Sequence, residues 1–362
     1  MEQNRFRNLL VMLTLACSLS NWADLVGLRP GCCSPVAGTC SAQETDVERP
    51  QVLKVLTFNI LYGGGEAKSV GFSNEDFGGS RIDEIADVIL QSQAEIVCIQ
   101  EDCGSDALLE ALRESNPDWN RYDHVYSTFP ILPGSKTDKA CGMTVCQVEY
   151  AKEKLLSVVN CHWYPSPFGP SLLQDELKLG PPKDLKALAE KIRKKSEKFE
   201  GYRGYNATLE AINNAPEGSP VILAGDFNEP SHLDWTVRFS KGGFDRWRKN
   251  PGTTKLNFPV AWTGSQLVAK AGLDDAYRSR HPNEVEKPGV TFTPEYAPGT
   301  QGRRPIEDQA HTRIDRIYFS PQTLSPIVAT VIGEDSEWSD LAYEGNWPSD
   351  HRAVLVEFEV QQ

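Results

Sequence analysis

The 362-residue chain contains no apolar run of the ~18 residues that a membrane-spanning helix requires. Positive charge is also short: 37 Lys and Arg stand against 50 Asp and Glu, a formal net charge of −13. A field of that sign does not draw in nucleic acid, so an anionic ligand needs a local basic patch or a cation. No C-x-x-C pair is followed by a histidine pair, which argues against structural zinc. No Gly-x-Ser-x-Gly elbow occurs, which argues against a serine hydrolase. Residues 51–362 hold no repeat, no low-complexity tract and no linker-like shift of composition. What is present, 40% hydrophobic and 24% charged residues, is the composition of a globular protein with a sizeable core.

Residues 1–23 have the layout of a secretory signal peptide: Arg5 and Arg7 precede the apolar stretch Leu9 to Ala16, and small and polar residues follow. Cleavage fits after Ser18 or Ala23. Thr14, three positions before Cys17, does not favour lipidation. Residues 24–50, with Gly31, Pro35 and Gly38, read as a flexible linker. The expectation is a secreted or periplasmic protein with a single domain over 51–362. Five of nine cysteines lie in that body, an odd number. Cys98 and Cys161 sit in apolar runs and read as core thiols. Cys141 and Cys146 are close enough to bridge across a hairpin.

Strands and helices interleave along the body. Val52 to Leu61 is a β-rich run, and Ser80 caps a helix whose Ile82, Ile85, Ala86 and Ile89 share a face. Ile96 to Ile99 is continuously apolar, as in a strand buried on both faces. Gly142–Tyr150 and Leu155–Asn160 form a hairpin about Lys152-Glu153-Lys154. Helices follow at 184–199 and 205–213, and strands at 221–224, 313–319 and 352–360. Alternation of this kind predicts an α/β (α+β) fold of sheets covered by helices.

The chemistry lies in polar residues where apolar strands end, positions that a sheet holds rigidly. Asn59 follows Thr57-Phe58, and Glu101 follows Ile99-Gln100, the latter a natural hard-cation ligand. Asn160 and His162 share a strand face, with Cys161 on the other, which argues against a Cys–His dyad. Asp226 and Asn228 also share a face in Gly225-Asp226-Phe227-Asn228, where Gly225 permits close backbone approach. Asp315 places a charge inside a strand, which requires a partner. Asp350 and His351 precede the last strand, a pairing suited to metal binding or proton transfer.

In this order the motifs resemble those of the endonuclease/exonuclease/phosphatase superfamily, the deoxyribonuclease-like metal-dependent phosphoesterases, across residues 51–360. With the leader, the resemblance is to a secreted bacterial-type member. It implies a four-layer sandwich, two packed mixed β-sheets flanked by helices, with the site at one rim. It further implies that Asn59, Glu101 and Asp350 hold a divalent cation, Mg2+ or Mn2+. Asp226 would activate water and Asn228 aid the phosphate. His351, paired with Asp315, would contact the phosphate, and His162 would donate to a phosphate oxygen or the leaving group. The implied partner is a phosphate-ester substrate, nucleic acid or a small phosphorylated molecule, acted on by a monomer. The alternative is a non-catalytic phosphate- or polyanion-binding module on the same fold, which predicts loss of Glu101, Asp226 or His351; none is lost.

Two stretches are expected to select the substrate. Residues 165–201 include a basic cluster at Lys191, Arg193, Lys194, Lys195 and Lys198, which reads first as a solvated helix face. Residues 229–312 carry Trp235, Trp247, Trp262, Arg303 and Arg304; His232 and Asp234 follow Asn228 closely enough to line the pocket, and His232 equally suits a helix start. Trp163 and Tyr164 suggest an aromatic wall beside His162, with core packing the alternative. No clear exposed apolar hairpin suggests a lipid surface.

Overall fold

A computed structural model describes residues 51–65, 74–137, 142–197, 204–296 and 304–361. The signal-peptide and linker expectations, Cys141, Lys198 and Arg303 lie outside the described residues.

The described body builds two mixed sheets. The first joins β1 (Val52–Asn59), β2 (Ile96–Gln100), β3 (Asn120–Tyr122), β4 (Val125–Ser127), β11 (Leu324–Gly333), β12 (Leu341–Ala342) and β13 (Ala353–Val360). The second joins β5 (Ile131–Thr137), β6 (Met143–Ala151), β7 (Lys154–His162), β8 (Val221–Asp226), β9 (Asp274–Asp275) and β10 (Asp315–Phe319). Their strand orders are β12-β11-β13-β1-β2-β4-β3 and β5-β6-β7-β8-β10-β9. Leu53, Val55, Ile96 and Cys98 from one sheet pack on Val158, Ile222, Ala224 and Ile317 from the other. The alternate residues Leu56, Phe58, Val97 and Ile99 face α1 (Ile82–Ser92) and α2 (Ala107–Ser115). On the second sheet Val159, Cys161 and Leu223 face α5 (Tyr205–Asn213) and α6 (Thr263–Lys270). The result is the expected four-layer sandwich, and coverage of both faces explains the unbroken apolar run at 96–99. Between α5 and the hairpin β6–β7 lie α3 (Gly169–Lys178) and α4 (Leu185–Glu197), which pack on Trp235, Leu256 and Trp262.

Local details correct the sequence reading. Ile82, Ile85, Ala86 and Ile89 are all buried, as expected, but Arg81 occupies the N-cap of α1, and Ser80 Oγ reaches only the amide of Ile82, at 3.4 Å. The strand β11 escapes the sequence reading because Pro326 interrupts its ladder, and the register shifts between Pro326 and Val328. Cys98 and Cys161 are core residues, as expected, and Cys146 carries a free buried thiol that burial pushes up to about 12. Asn206, which with Ala207 and Thr208 makes an Asn-x-Thr glycosylation sequon, is exposed on α5.

The space between the sheets changes character along the strands. Inward positions are apolar at Val55, Cys98, Val158 and Ala224, then become amides and hydroxyls, then acids and histidine. In the middle step Gln100 Nε2 donates to Thr57 Oγ1 at 3.0 Å and to Asn160 Oδ1 at 2.8 Å. Asn160 Nδ2 donates to the carbonyls of Ile99 and His124 at 2.8 and 2.9 Å. These buried amides are satisfied across the two sheets and fix their relative register. The next inward positions are Asn59, His162, Asp226 and Asp315.

Candidate active site

Register places these residues side by side. Asn59 pairs with Gln100 in the parallel ladder of β1 and β2. His162 pairs with Asp226 between β7 and β8, and Asp315 pairs with Asp226 between β10 and β8. Gly225 is required for this approach: its φ is +151° and a Cβ there would sit 1.8 Å from the carbonyl oxygen of Cys161.

Asp226 is the hub. It is fully buried and accepts from Asn59 Nδ2 at 3.1 Å, Asn228 N at 2.8 Å and Asn228 Nδ2 at 3.2 Å. His162 Nε2 lies 3.5 Å from Asp226 Oδ2, and His351 Nε2 lies 3.9 Å from the same oxygen. Burial and the neighbouring Asp315 carboxylate raise the Asp226 pKa above the ordinary carboxylate value. Asp226 and Asn228 do not share a strand face as the i, i+2 spacing suggested. The strand ends at Asp226, and Asn228 turns back with φ of 45° so that its own amides meet the carboxylate.

His351 Nδ1 lies 2.9 Å from Asp315 Oδ2, so the strand charge pairs with a histidine, whereas Arg313 turns to Asp234 and Asp275. Burial alone would lower the imidazole pKa, but Asp315 and Asp226 outweigh it and carry it up to about 10. The raised pKa favours the imidazolium form of His351, held by Asp315 on one side and facing Asp226 and Asp350 on the other.

Glu101 turns out of β2 with φ of 61°. Its carboxylate accepts from Tyr62 N at 2.9 Å and from Asn59 Nδ2 at 3.2 Å. Asn59 therefore brackets Glu101 and Asp226 through its nitrogen. Its Oδ1, the atom a cation would need, accepts from Leu61 N at 3.1 Å. Asp350 is fully buried, with Oδ1 4.0 Å from His351 Nε2.

Arg81 was not singled out by sequence. Its buried guanidinium donates to Leu61 O at 2.7 Å and to Pro348 O, tying the loop after β1 to the loop that carries Asp350. Burial lowers its pKa to about 10, with Asp350 and Glu101 opposing.

The donor set suits a hard cation at Glu101 and Asp350: both are carboxylates, one fully buried and one on the cleft wall. Asp226, Asp315 and His351 also bring ligand atoms within 4.8 Å of one another. In that trio Asp315 is engaged with the imidazole of His351, and Asp226 with Asn59 and Asn228.

Glu101, His162, Asp226, Asn228 and His351 line one cleft of about 500 Å³. Asn59, Asp315 and Asp350 stand behind it. Its aromatic wall is Tyr62, Phe168 and Phe292, and the last two meet edge to face at 6.0 Å. The expected wall of Trp163 and Tyr164 is not there: Trp163 is buried on Tyr205 and Phe227, and Tyr164 is not part of the cleft. Trp235, Trp247 and Trp262 are core residues. Asp234 lies in a buried ion cluster with Arg278 and Arg313, and His232 pairs with Ser265 at 2.8 Å; neither lines the cleft. Lys191, Arg193 and Lys194 pair with Glu176 and Glu190 as a solvated face. Arg304 does line the cleft. The aromatic wall was illegible because Tyr62, Phe168 and Phe292 carry no local motif.

A model of the Endonuclease/Exonuclease/phosphatase family matches residues 198–351, which bears out the superfamily read from the motifs. The match takes in Asp226, Asn228, Asp315, Asp350 and His351; Asn59, Glu101 and His162 lie upstream and reach the same site through the fold. An uncharacterized protein of Caenorhabditis elegans, F14F9.5, is 27% identical over 143 residues, which span 39% of this chain and 41% of that protein. The chain thus covers less than half of that relative's length. Among solved structures, D. rerio TDP2 complexed with a single-strand DNA product is 14% identical, with 85% of this chain and 98% of that chain covered and a TM-score of 0.46. An endonuclease/exonuclease/phosphatase from Bacteroides vulgatus is 15% identical, with 86% and 100% covered and a TM-score of 0.46.

Proposed function

We propose that the protein is a divalent-metal-dependent hydrolase of phosphate esters, acting through a water activated at Asp226. The observation that carries this reading is the convergence of Glu101, His162, Asp226 and His351 on one cleft from four separate strand ends, with Asp315 behind His351. A monoester or diester phosphate is the substrate class.

Glu101 and Asp350 are the residues that would hold the cation, magnesium or manganese. When bound, the cation neutralises charge on the phosphoryl and leaving oxygens. Asp226 takes the proton of the attacking water. Its raised pKa brings a carboxylate closer to neutral, where a general base works best. Asn228 and Asn59 hold that carboxylate in orientation. His351 brings a positive charge and an N–H to the phosphoryl group, which stabilises charge as it develops. His162, a quarter exposed on the cleft wall, is placed to donate to a phosphate oxygen or the leaving group.

The leader pattern of residues 1–23 supports a secreted or periplasmic setting, which N-terminal sequencing of the exported protein tests. The function is tested with p-nitrophenyl phosphate and bis-p-nitrophenyl phosphate in magnesium, manganese or chelator. Metal-dependent turnover supports the reading, and the preferred ester separates phosphatase from phosphodiesterase. Absence of turnover on these esters and on DNA, RNA, inositol phosphates and sphingomyelin contradicts it in favour of a binding module.

A further inference from the structure

Among the described residues that line the cleft, Arg304 is the only lysine or arginine, in company with Glu101, Asp102 and Asp226. Its guanidinium makes a two-pronged contact with Asp175 of α3, at 3.0 and 3.1 Å. The pair is open to water, with 26% of the Arg304 side chain and 53% of the Asp175 side chain exposed. An ion pair this exposed contributes little net stability, so it exchanges readily for a stronger anion. A phosphate presents the same fork of oxygens as a carboxylate with more charge.

The backbone beneath Arg304 is independently anchored. Its carbonyl accepts from Tyr296 OH at 2.9 Å and from Gln309 Nε2 at 3.3 Å. One turn along α3, Lys178 pairs with Asp308 at 2.9 Å and ties the same loop to the helix. Arg304 can therefore leave Asp175 without the loop leaving α3. The cleft, about 500 Å³, also falls in the range of pockets that hold whole small molecules rather than a lone phosphate.

We propose that Arg304 recognises a second phosphate on the substrate and that Asp175 is the carboxylate it gives up on binding. The substrate class is then a phosphate ester that carries at least one further phosphate. This inference rests on the hydrolase reading above and adds a specificity residue to it.

The test compares thymidine 5′-(p-nitrophenyl phosphate) with its 3′-phosphorylated form, which share one leaving group. Wild type is expected to favour the 3′-phosphorylated ester in kcat/KM by about tenfold or more, the worth of a charge-assisted contact. Arg304→Gln should bring that ratio close to one, Arg304→Lys should retain part of it, and Asp175→Asn should lower KM for the 3′-phosphorylated ester. Lys191→Met removes an exposed charge outside the cleft and away from the Arg304 loop and should keep the wild-type ratio. An undiminished ratio in Arg304→Gln, an equal loss in Lys191→Met, or no preference in wild type overturns the inference. Calorimetric binding of thymidine 3′,5′-bisphosphate against thymidine 5′-monophosphate separates the two levels. Absent turnover with Arg304-dependent preference in binding contradicts the hydrolase reading alone; turnover without that preference contradicts the role of Arg304 alone.

Discussion

Nδ1 of His351 lies 2.9 Å from Oδ2 of Asp315, although 36 residues separate them in sequence. The carboxylate holds the ring in place and favours its protonated form, with Nε2 facing the cleft as a donor.

The alkaline side of the pH–rate profile therefore belongs to His351. Its pKa is raised to about 10 by Asp315 and Asp226 against the effect of burial. Activity that needs the imidazolium is present below that value and lost as pH rises through it. In Asp315→Asn the alkaline limb should move toward neutral pH, with a loss in kcat of ~10²–10⁴-fold near pH 8. Rates on bis-p-nitrophenyl phosphate from pH 5 to 11 check this; an unmoved limb contradicts it.

Gly225 should tolerate no side chain. A Cβ would meet the Cys161 carbonyl at 1.8 Å and force φ away from +151°. Gly225→Ala is expected to destabilise by about 3 kcal/mol or more, because backbone shift and strain both enter. Urea unfolding measures it, and a variant within about 0.5 kcal/mol of wild type, the usual range for an exposed site, would exclude the close approach.

Acid stability should depend on Asp234. Burial raises its pKa, but Arg313 and Arg278 more than offset this and hold it at about 2. A depressed carboxylate stabilises the fold above its unfolded pKa of ~3.9, and the contribution disappears as pH falls through the folded value. The shift corresponds to about 2–3 kcal/mol. Denaturation of wild type and Asp234→Asn between pH 5 and 2 should show a shallower slope in the variant, because Asp102, Glu284 and Asp340, also depressed, keep their own contributions.

Cation binding should raise thermal stability through mass action. Magnesium or manganese at millimolar concentration is expected to increase Tm, and chelator to reverse it. Glu101→Gln and Asp350→Asn should abolish the shift, whereas Asp234→Asn should retain it. A shift that survives both substitutions places the cation elsewhere.

Much of this arrangement is legible in sequence for a physical reason. Alternation along a strand sends Asn160 and His162 to one face and Cys161 to the other, and the structure has them so. Asp226, Asp315 and His351 are legible because charged groups next to apolar strands need partners. The part played by Asn59 was harder to read. An amide offers either an oxygen or a nitrogen, and only the neighbouring carboxylates of Glu101 and Asp226 turn the nitrogen inward. Arg81 stayed hidden because its partners are carbonyls of Leu61 and Pro348, which no side-chain pattern encodes. Trp163 misled because an aromatic next to a polar strand end belongs equally well to the outer face, where it packs on Tyr205 and Phe227.

The most direct measurement is magnesium-dependent hydrolysis of bis-p-nitrophenyl phosphate by wild type and Asp226→Asn, with circular dichroism to verify the fold. Turnover in wild type, abolished by chelator and reduced by ~10²–10⁴-fold in Asp226→Asn, is the predicted result. Full activity in the folded variant, or turnover indifferent to chelator, contradicts the account.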